Sequence, residues 1–125
     1  MGRIRQAIKV DGQDFWTMFD TGARNTYVVP DVARLLSTAH PLHPIRTALG
    51  GEIKQADTTA LLQAEIEGKQ VSTHAIVVDR IGNDEEGKPI EILFGALAMQ
   101  QWSIRPVPDQ EKLDLSHYPD EFVEF

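Results

Sequence analysis

The sequence contains no cysteine, and this absence excludes three kinds of chemistry. Without thiols the chain cannot form a disulfide, bind a metal through thiolates or use a cysteine nucleophile. No apolar run approaches the roughly 20 residues that span a bilayer. The first residues also lack the apolar core of a signal peptide. We therefore expect a cytoplasmic protein that does not interact with membranes.

Positive charge is also scarce in this chain. The 12 lysines and arginines are outnumbered by 19 aspartates and glutamates, which gives a net charge of −7. Binding to a nucleic-acid backbone depends on clustered positive charge, so we expect no nucleic-acid partner. His40 and His43 lie in a segment that prolines interrupt, and no third metal ligand accompanies them. We accordingly predict neither a metal site nor a cofactor.

The 125 residues suffice for one modest core and are short for two. Apolar and polar residues alternate over residues 4–10 and 60–66, which is typical of β-strands. Asp11 and Gly12 after the first of these segments predict a hairpin turn, since a type I′ turn needs positive φ at both central residues. Pro30 favours a short helix, and residues 96–101 favour a second one.

The segment before that second helix divides into a polar and an apolar part. Residues 79–88 are polar and contain glycine, and their acidic side chains do not follow the calcium-loop spacing. We interpret them as a solvated loop. Residues 90–94 are apolar apart from Glu91 and predict a strand that ends at Gly95.

Residues 19–23, Phe-Asp-Thr-Gly-Ala, carry the clearest chemical signal. Asp20 follows an aromatic-rich strand, and Gly22 allows a tight turn that brings backbone N–H groups toward the carboxylate. Such donors stabilise the ionised form of a carboxyl group and fix its orientation. Thr21 adds a hydroxyl that can fasten the loop. The motif alone is equally compatible with an ordinary turn, so its context has to decide between the two readings.

In context, the motif resembles that of the retropepsin family of aspartic proteases. Three elements occur in the family's order: Asp-Thr-Gly-Ala at residues 20–23, the pair Gly50 and Gly51 where the family has its flap, and Ile-Leu-Phe-Gly at residues 92–95 before a short helix. The resemblance extends over residues 4–107. It implies an all-β fold, the acid-protease closed barrel with one or two short helices, in which the last element packs beneath the catalytic loop.

The resemblance also implies an activity. Family members hydrolyse peptide bonds with a water activated between two aspartates, and they carry one motif per chain, so Asp20 from each of two copies would form the site of a homodimeric endopeptidase. Thr21 would brace the paired loops, and Gly22 would supply backbone contacts as a third catalytic residue. The peptide or protein substrate would contact the predicted substrate-binding residues Ala23, Arg24, Leu49, Gly50 and Gly51.

One departure from the family leaves an alternative open. Viral members carry aspartate after the alanine of the motif and arginine after the later glycine, whereas this chain has Arg24 and Ala96. The ion pair that helps to brace the viral dimer is therefore missing. A catalytically silent, retropepsin-like binding or assembly module is the alternative to a protease.

The last part of the chain differs in composition from the rest. We assign residues 1–107 to the retropepsin-like domain and residues 108–125 to an acidic, aromatic C-terminal extension. The extension also contains apolar side chains, which a wholly solvated tail would not need. These are Leu113, Leu115, Tyr118, Phe122 and Phe125. We expect the extension to dock on the domain's own surface, and intersubunit strands or a cap over the cleft are the alternatives.

Overall fold

The computed structural model describes residues 3–124, and Phe125 of the predicted docking residues lies outside this range. In chain order its strands are β1 (Arg3–Val10), β2 (Gln13–Asp20), β3 (Thr26–Val28), β4 (Ser37–Ala39), β5 (Ile45–Leu49), β6 (Glu52–Ala56), β7 (Thr59–Ile66), β8 (Lys69–Val77), β9 (Gly82–Asn83), β10 (Pro89–Ile90), β11 (Ile92–Phe94), β12 (Arg105–Val107) and β13 (Lys112–Asp114). The helices are α1 (Pro30–Ala33), α2 (Ala96–Gln101) and a 3-10 helix (Pro108–Gln110). Nowhere in residues 3–124 is a helix long and apolar enough to span a membrane.

Six strands close into a barrel in the order β1-β2-β11-β3-β8-β7, and β4 extends the sheet beyond β7. The pairing of Lys9 with Glu65 joins β7 back to β1. β11 is parallel to β2 and antiparallel to β3, and β3 is parallel to β8. Closure pairs strand edges that would otherwise be open to other chains. The closed barrel with two short α-helices confirms the predicted all-β fold class.

The two longest hairpins of the barrel have the same kind of turn. Asp11 and Gly12 between β1 and β2 have φ angles of 52° and 76°, and Glu67 and Gly68 between β7 and β8 have φ angles of 52° and 83°. Positive φ at both positions is what a type I′ turn requires, and this turn matches the twist of the flanking strands. Each turn fixes the register of its hairpin, and alternate side chains of β7 are therefore buried.

The prediction of a solvated loop after β8 was wrong for Asp84, which is buried. Its Oδ1 accepts hydrogen bonds from the backbone N–H groups of Glu86 and Lys88, and its Oδ2 accepts one from the indole N–H of Trp16, all at 2.9 Å. The guanidinium of Arg5 lies 3.7 Å from Oδ2. The Lys88 N–H and these other donors hold the pKa of the Asp84 carboxyl below its ordinary value.

The strand predicted over residues 90–94 is interrupted at Glu91. β10 pairs with β9 outside the barrel, whereas β11 lies inside it. The backbone N–H of Glu91 donates to the Trp16 carbonyl at 2.9 Å, and the Glu91 carboxylate accepts the Trp16 N–H at 2.8 Å. The side chain of Glu91 thus replaces a strand partner at the point where the chain leaves the barrel.

The residues after 107 contact the chain's own barrel. Leu113 is buried in the main core. The ring of Tyr118 stacks on Trp102 at 5.9 Å, and its hydroxyl donates to the Gln70 carbonyl at 2.5 Å. Phe122 meets the Trp102 ring edge-on at 5.6 Å. β12, before the predicted boundary at residue 107, pairs with β13, after it. The division of the chain at that residue stays a prediction.

Candidate active site

The carboxylate of Asp20 lies at the C-terminal end of β2, where the strand leaves the core. Phe19, just before it, is fully buried against Phe94, with ring centroids 5.1 Å apart. The Asp20 side chain is only 9% exposed. The backbone N–H of Gly22 donates to its Oδ1 at 2.7 Å, which is the contact expected from the tight turn. The turn therefore orients one oxygen of the carboxylate.

The second oxygen of Asp20 faces a positive charge that the sequence analysis missed. Its Oδ2 lies 3.3 Å from Nε of Arg3, a side chain that is about half exposed. Arg3 is directly opposite Asp20 in the β1–β2 pairing. The Asp-Gly turn at residues 11–12 contains the signal that could have revealed this pair, because a two-residue turn there sets residue 3 against residue 20.

A glycine beneath the motif allows a very close approach of two backbone segments. A Cβ added at Gly95 would lie 2.1 Å from the carbonyl oxygen of Asn25, so only glycine fits there. The Gly95 N–H donates to the buried Thr26 hydroxyl at 3.1 Å. The next N–H, of Ala96, donates to the Ala23 carbonyl at 2.7 Å. The Ile-Leu-Phe-Gly segment thus packs beneath the Asp20 loop, as the resemblance implied.

The predicted flap is the hairpin of β5 and β6. Gly50 and Gly51 at its tip have φ angles of 58° and 83°, which a two-residue turn of this hand requires. Leu49 is buried in a small apolar cluster with Tyr27. The Tyr27 hydroxyl shares a 2.7 Å hydrogen bond with the hydroxyl of Thr47 on β5. These contacts hold the hairpin down over the motif.

An ion pair attaches the other strand of the hairpin to the loop after β8. The Nζ of Lys54 on β6 lies 2.8 Å from a carboxylate oxygen of Asp79. The hydrogen bond between them raises the pKa of the Lys54 ammonium and lowers the pKa of the Asp79 carboxyl. Asp79 is largely exposed, so this contact adds little to stability.

A cleft of about 380 Å³ lies between the motif and the flap tip. Six of the eight predicted site residues contribute to its lining, and Thr21 and Gly51 do not. The six are Asp20, Gly22, Ala23, Arg24, Leu49 and Gly50. The cleft wall formed by Ile81, Gly82 and Asn83 was not predicted, because nothing in their local pattern indicates that the chain returns to the motif.

This cleft contains half of what aspartic proteolysis requires. Asp20 is the one carboxylate among its described lining residues, and the reaction uses two carboxylates around one water. Within residues 3–124 no group of three or more histidine, aspartate or glutamate side chains is arranged to hold a metal ion. The second carboxylate would have to come from another chain.

Solved structures to which this fold is similar include retroviral proteases and a retroviral protease-like domain. The retroviral protease-like domain of Ddi1 from Leishmania major has a TM-score of 0.61 and 10% identity, over 91% of this chain and 88% of that chain. The simian foamy virus (mac) protease has a TM-score of 0.52 and 16% identity, over 82% and 99% of the two chains. A foamy viral protease-reverse transcriptase, solved with an RNA/DNA hybrid, has a TM-score of 0.59 and 12% identity, over 85% of this chain and 12% of that much longer chain.

No protein-family model and no curated protein matches the sequence. At identities of 10–16% the shared property is the fold, since function is a property of the site that a fold contains. The chain has the retropepsin-like protease fold.

Proposed function

We propose that this chain is an aspartic endopeptidase that acts as a homodimer, with Asp20 of each copy beside one shared water. The observation that supports the proposal is the setting of Asp20. Its carboxylate is almost buried, receives the Gly22 N–H on one oxygen, and opens onto a cleft under a glycine-tipped hairpin. A carboxylate with a merely structural role needs no such cleft.

The proposed reaction follows from two carboxylates that share one proton. Like charges a few ångströms apart cannot both stay ionised, so one carboxylate is the base and the other the acid. The base takes a proton from the shared water, and the oxygen of that water attacks the carbon of the peptide carbonyl. The acid protonates the carbonyl oxygen, and collapse of the tetrahedral intermediate transfers a proton to the leaving amine. The hairpin over the cleft excludes bulk water during these steps.

The other predicted residues have supporting roles in this proposal. Thr21 braces the paired loops, and Gly22 keeps the Asp20 carboxylate oriented by its N–H. The peptide substrate, bound in an extended form, contacts the flap tip and the residues that follow the motif. These contacts come from Ala23, Arg24, Leu49, Gly50 and Gly51.

The test of catalysis is Asp20→Asn, which keeps the size of the side chain and removes its charge. Loss of the acid–base pair should lower peptide cleavage about 100- to 10,000-fold. Asp109→Asn is a matched control, because Asp109 is an exposed aspartate in the 3-10 helix, away from the cleft. Circular dichroism should show both variants folded. Cleavage by Asp20→Asn at the native rate would refute the proposal.

The dimer requirement has its own test. Unlabelled Asp20→Asn protein is mixed with an equal amount of native protein, and the subunits are allowed to exchange. If each site takes one aspartate from each copy, activity per native chain should fall to about half, because mixed dimers are inactive. Undiminished activity, or a strictly monomeric protein at high micromolar concentration in ultracentrifugation, would contradict the homodimer.

A second candidate, a binding or assembly module without catalysis, is favoured by one contact. Arg3 gives the Asp20 carboxylate a counterion within a single chain, so the carboxylate does not need a second copy to be stabilised. Native protein that binds peptides in the cleft and leaves all of them uncleaved would favour this candidate over the protease.

A further inference from the structure

The cleft beside Asp20 has a positively charged lining in a chain that is acidic overall. Its charged lining residues are Arg3, Arg24 and Asp20, two positive charges against one negative, whereas the chain carries −7. Each of four other surface clefts has a neutral or net negative lining. A cleft lined by one sign of charge attracts ligand groups of the opposite sign.

Arg24 has a fixed backbone and an available guanidinium. Its carbonyl accepts the N–H of Leu97 at 3.1 Å, which attaches it to helix α2. Its side chain is exposed at the cleft. Among the ion pairs that residues 3–124 form, none involves Arg24. A guanidinium has five N–H donors that fit a carboxylate, so Arg24 is suited to bind an acidic group on a ligand.

Arg3 adds a second guanidinium on the same cleft. Its Nε contacts Asp20, and no other carboxylate of the described chain lies within ion-pair distance of it. Neither arginine is neutralised by a second acidic residue in the lining. Next to them, Tyr27, Leu49 and Leu93 form an apolar surface that belongs to the same cleft. The cleft thus combines an apolar part with an excess of positive charge.

We infer that this cleft selects peptides with an acidic side chain close to an apolar residue at the scissile bond, and that Arg24 is the residue that determines this preference. The inference deepens the proposed function by naming its substrate class, and it rests on that function for the cleavage step. Peptide binding can be measured without cleavage, so the two are separable.

The test uses decapeptides with a central apolar pair and glutamate, glutamine or lysine at each flanking position in turn. We expect the best glutamate peptide to exceed its glutamine counterpart in kcat/KM by about two- to fivefold, the range of an exposed ion pair. Arg24→Ala should abolish this ratio, and Arg24→Glu should shift the preference toward lysine. Arg34→Ala is the matched control, since Arg34 is an exposed arginine outside the cleft.

A binding measurement separates this inference from the proposed function. Analogues with a hydroxyethylene group in place of the scissile amide are titrated into native protein, and the ratio of Kd values should show the same preference. This ratio should become smaller when NaCl is raised from about 0.05 M to about 1 M, because salt screens the ion pair between Arg24 and the ligand carboxylate. Equal binding of glutamate and lysine analogues, no binding of any analogue, or a preference that survives in Arg24→Ala would overturn the inference. If the analogues bind with this preference but the corresponding amide peptides are not cleaved, the proposed protease function would be overturned and the inferred preference of the cleft would stand.

Discussion

Two carboxylates are buried among the described residues, Asp20 and Asp84, and their surroundings differ in kind. Asp84 accepts two backbone N–H groups and the Trp16 indole N–H and lies near the Arg5 guanidinium, and none of the five clefts described above includes it in its lining. Asp20 accepts one backbone N–H and one guanidinium contact, and it borders a cleft. Burial by itself therefore does not identify a functional carboxylate. The number of fixed donors and access to a cleft separate the two roles.

The largest expected effect comes from exchanging aspartate for asparagine at each of the two sites. Asp20→Asn should lower cleavage about 100- to 10,000-fold and leave the melting temperature close to that of the native protein. Asp84→Asn should lower the melting temperature and leave the cleavage rate close to that of the native protein. The amide NH₂ group of asparagine is a donor, and it would face an N–H group that the Asp84 carboxylate accepts. Cleavage rates and melting curves of both variants are measured side by side. Equal losses of activity in the two variants would remove the distinction between the sites.

Gly95→Ala disturbs the support of Asp20 without changing the carboxylate itself. The added Cβ would lie 2.1 Å from the Asn25 carbonyl, so the motif has to shift, at a cost of about 3 kcal/mol in the free energy of unfolding. Gly12→Ala is the comparison, because no atom lies within 4 Å of its added Cβ and only the positive φ is strained, at about 1 kcal/mol. Urea unfolding gives both values. A smaller loss for Gly95→Ala than for Gly12→Ala would refute the role of Gly95.

Tyr27→Phe tests how the flap is held over the cleft that Asp20 borders. It removes the hydrogen bond to Thr47 that holds the hairpin over Asp20, and the cost should be about 1 kcal/mol in flap closure, which appears as about a fivefold loss in kcat/KM. Thr47→Val removes the same bond from the other partner. The loss in kcat/KM of the double variant should be no larger than that of either single variant. Additive losses would mean that the hydrogen bond between Tyr27 and Thr47 does not hold the flap.

The smallest expected effect is a change in the response to acid. Because the pKa of Asp84 is held below its ordinary value of 3.8, its contribution to stability is present above that value and is lost as the pH falls through the lower, folded-state pKa. Melting temperatures measured from pH 6 downward should therefore fall less steeply in Asp84→Asn than in native protein. Parallel curves for the two proteins would show that Asp84 is not held in this way.

Much of the fold could be predicted from the sequence because its signals are local. The Asp-Gly turn at residues 11–12, the alternation in β7 and the glycine pair of the flap each depend on a few neighbouring residues. The interruption at Glu91 and the burial of Asp84 depend on Trp16, which lies 75 and 68 residues away. No pattern within one segment contains such partners, so the same segments appeared to be one strand and one solvated loop.

The sequence by itself determined that one Asp-Thr-Gly-Ala motif follows an aromatic-rich strand and that the Asp-Gly and Gly-Gly pairs form tight hairpin turns, because backbone conformation at such turns follows from local sterics. The tertiary structure decided which of two buried carboxylates opens onto a cleft. It also decided that Arg3 and Arg24 both line that cleft and give it a net positive charge in an acidic chain. Burial and the pairing of charges arise between groups that are far apart along the chain, so they exist only once the barrel has closed.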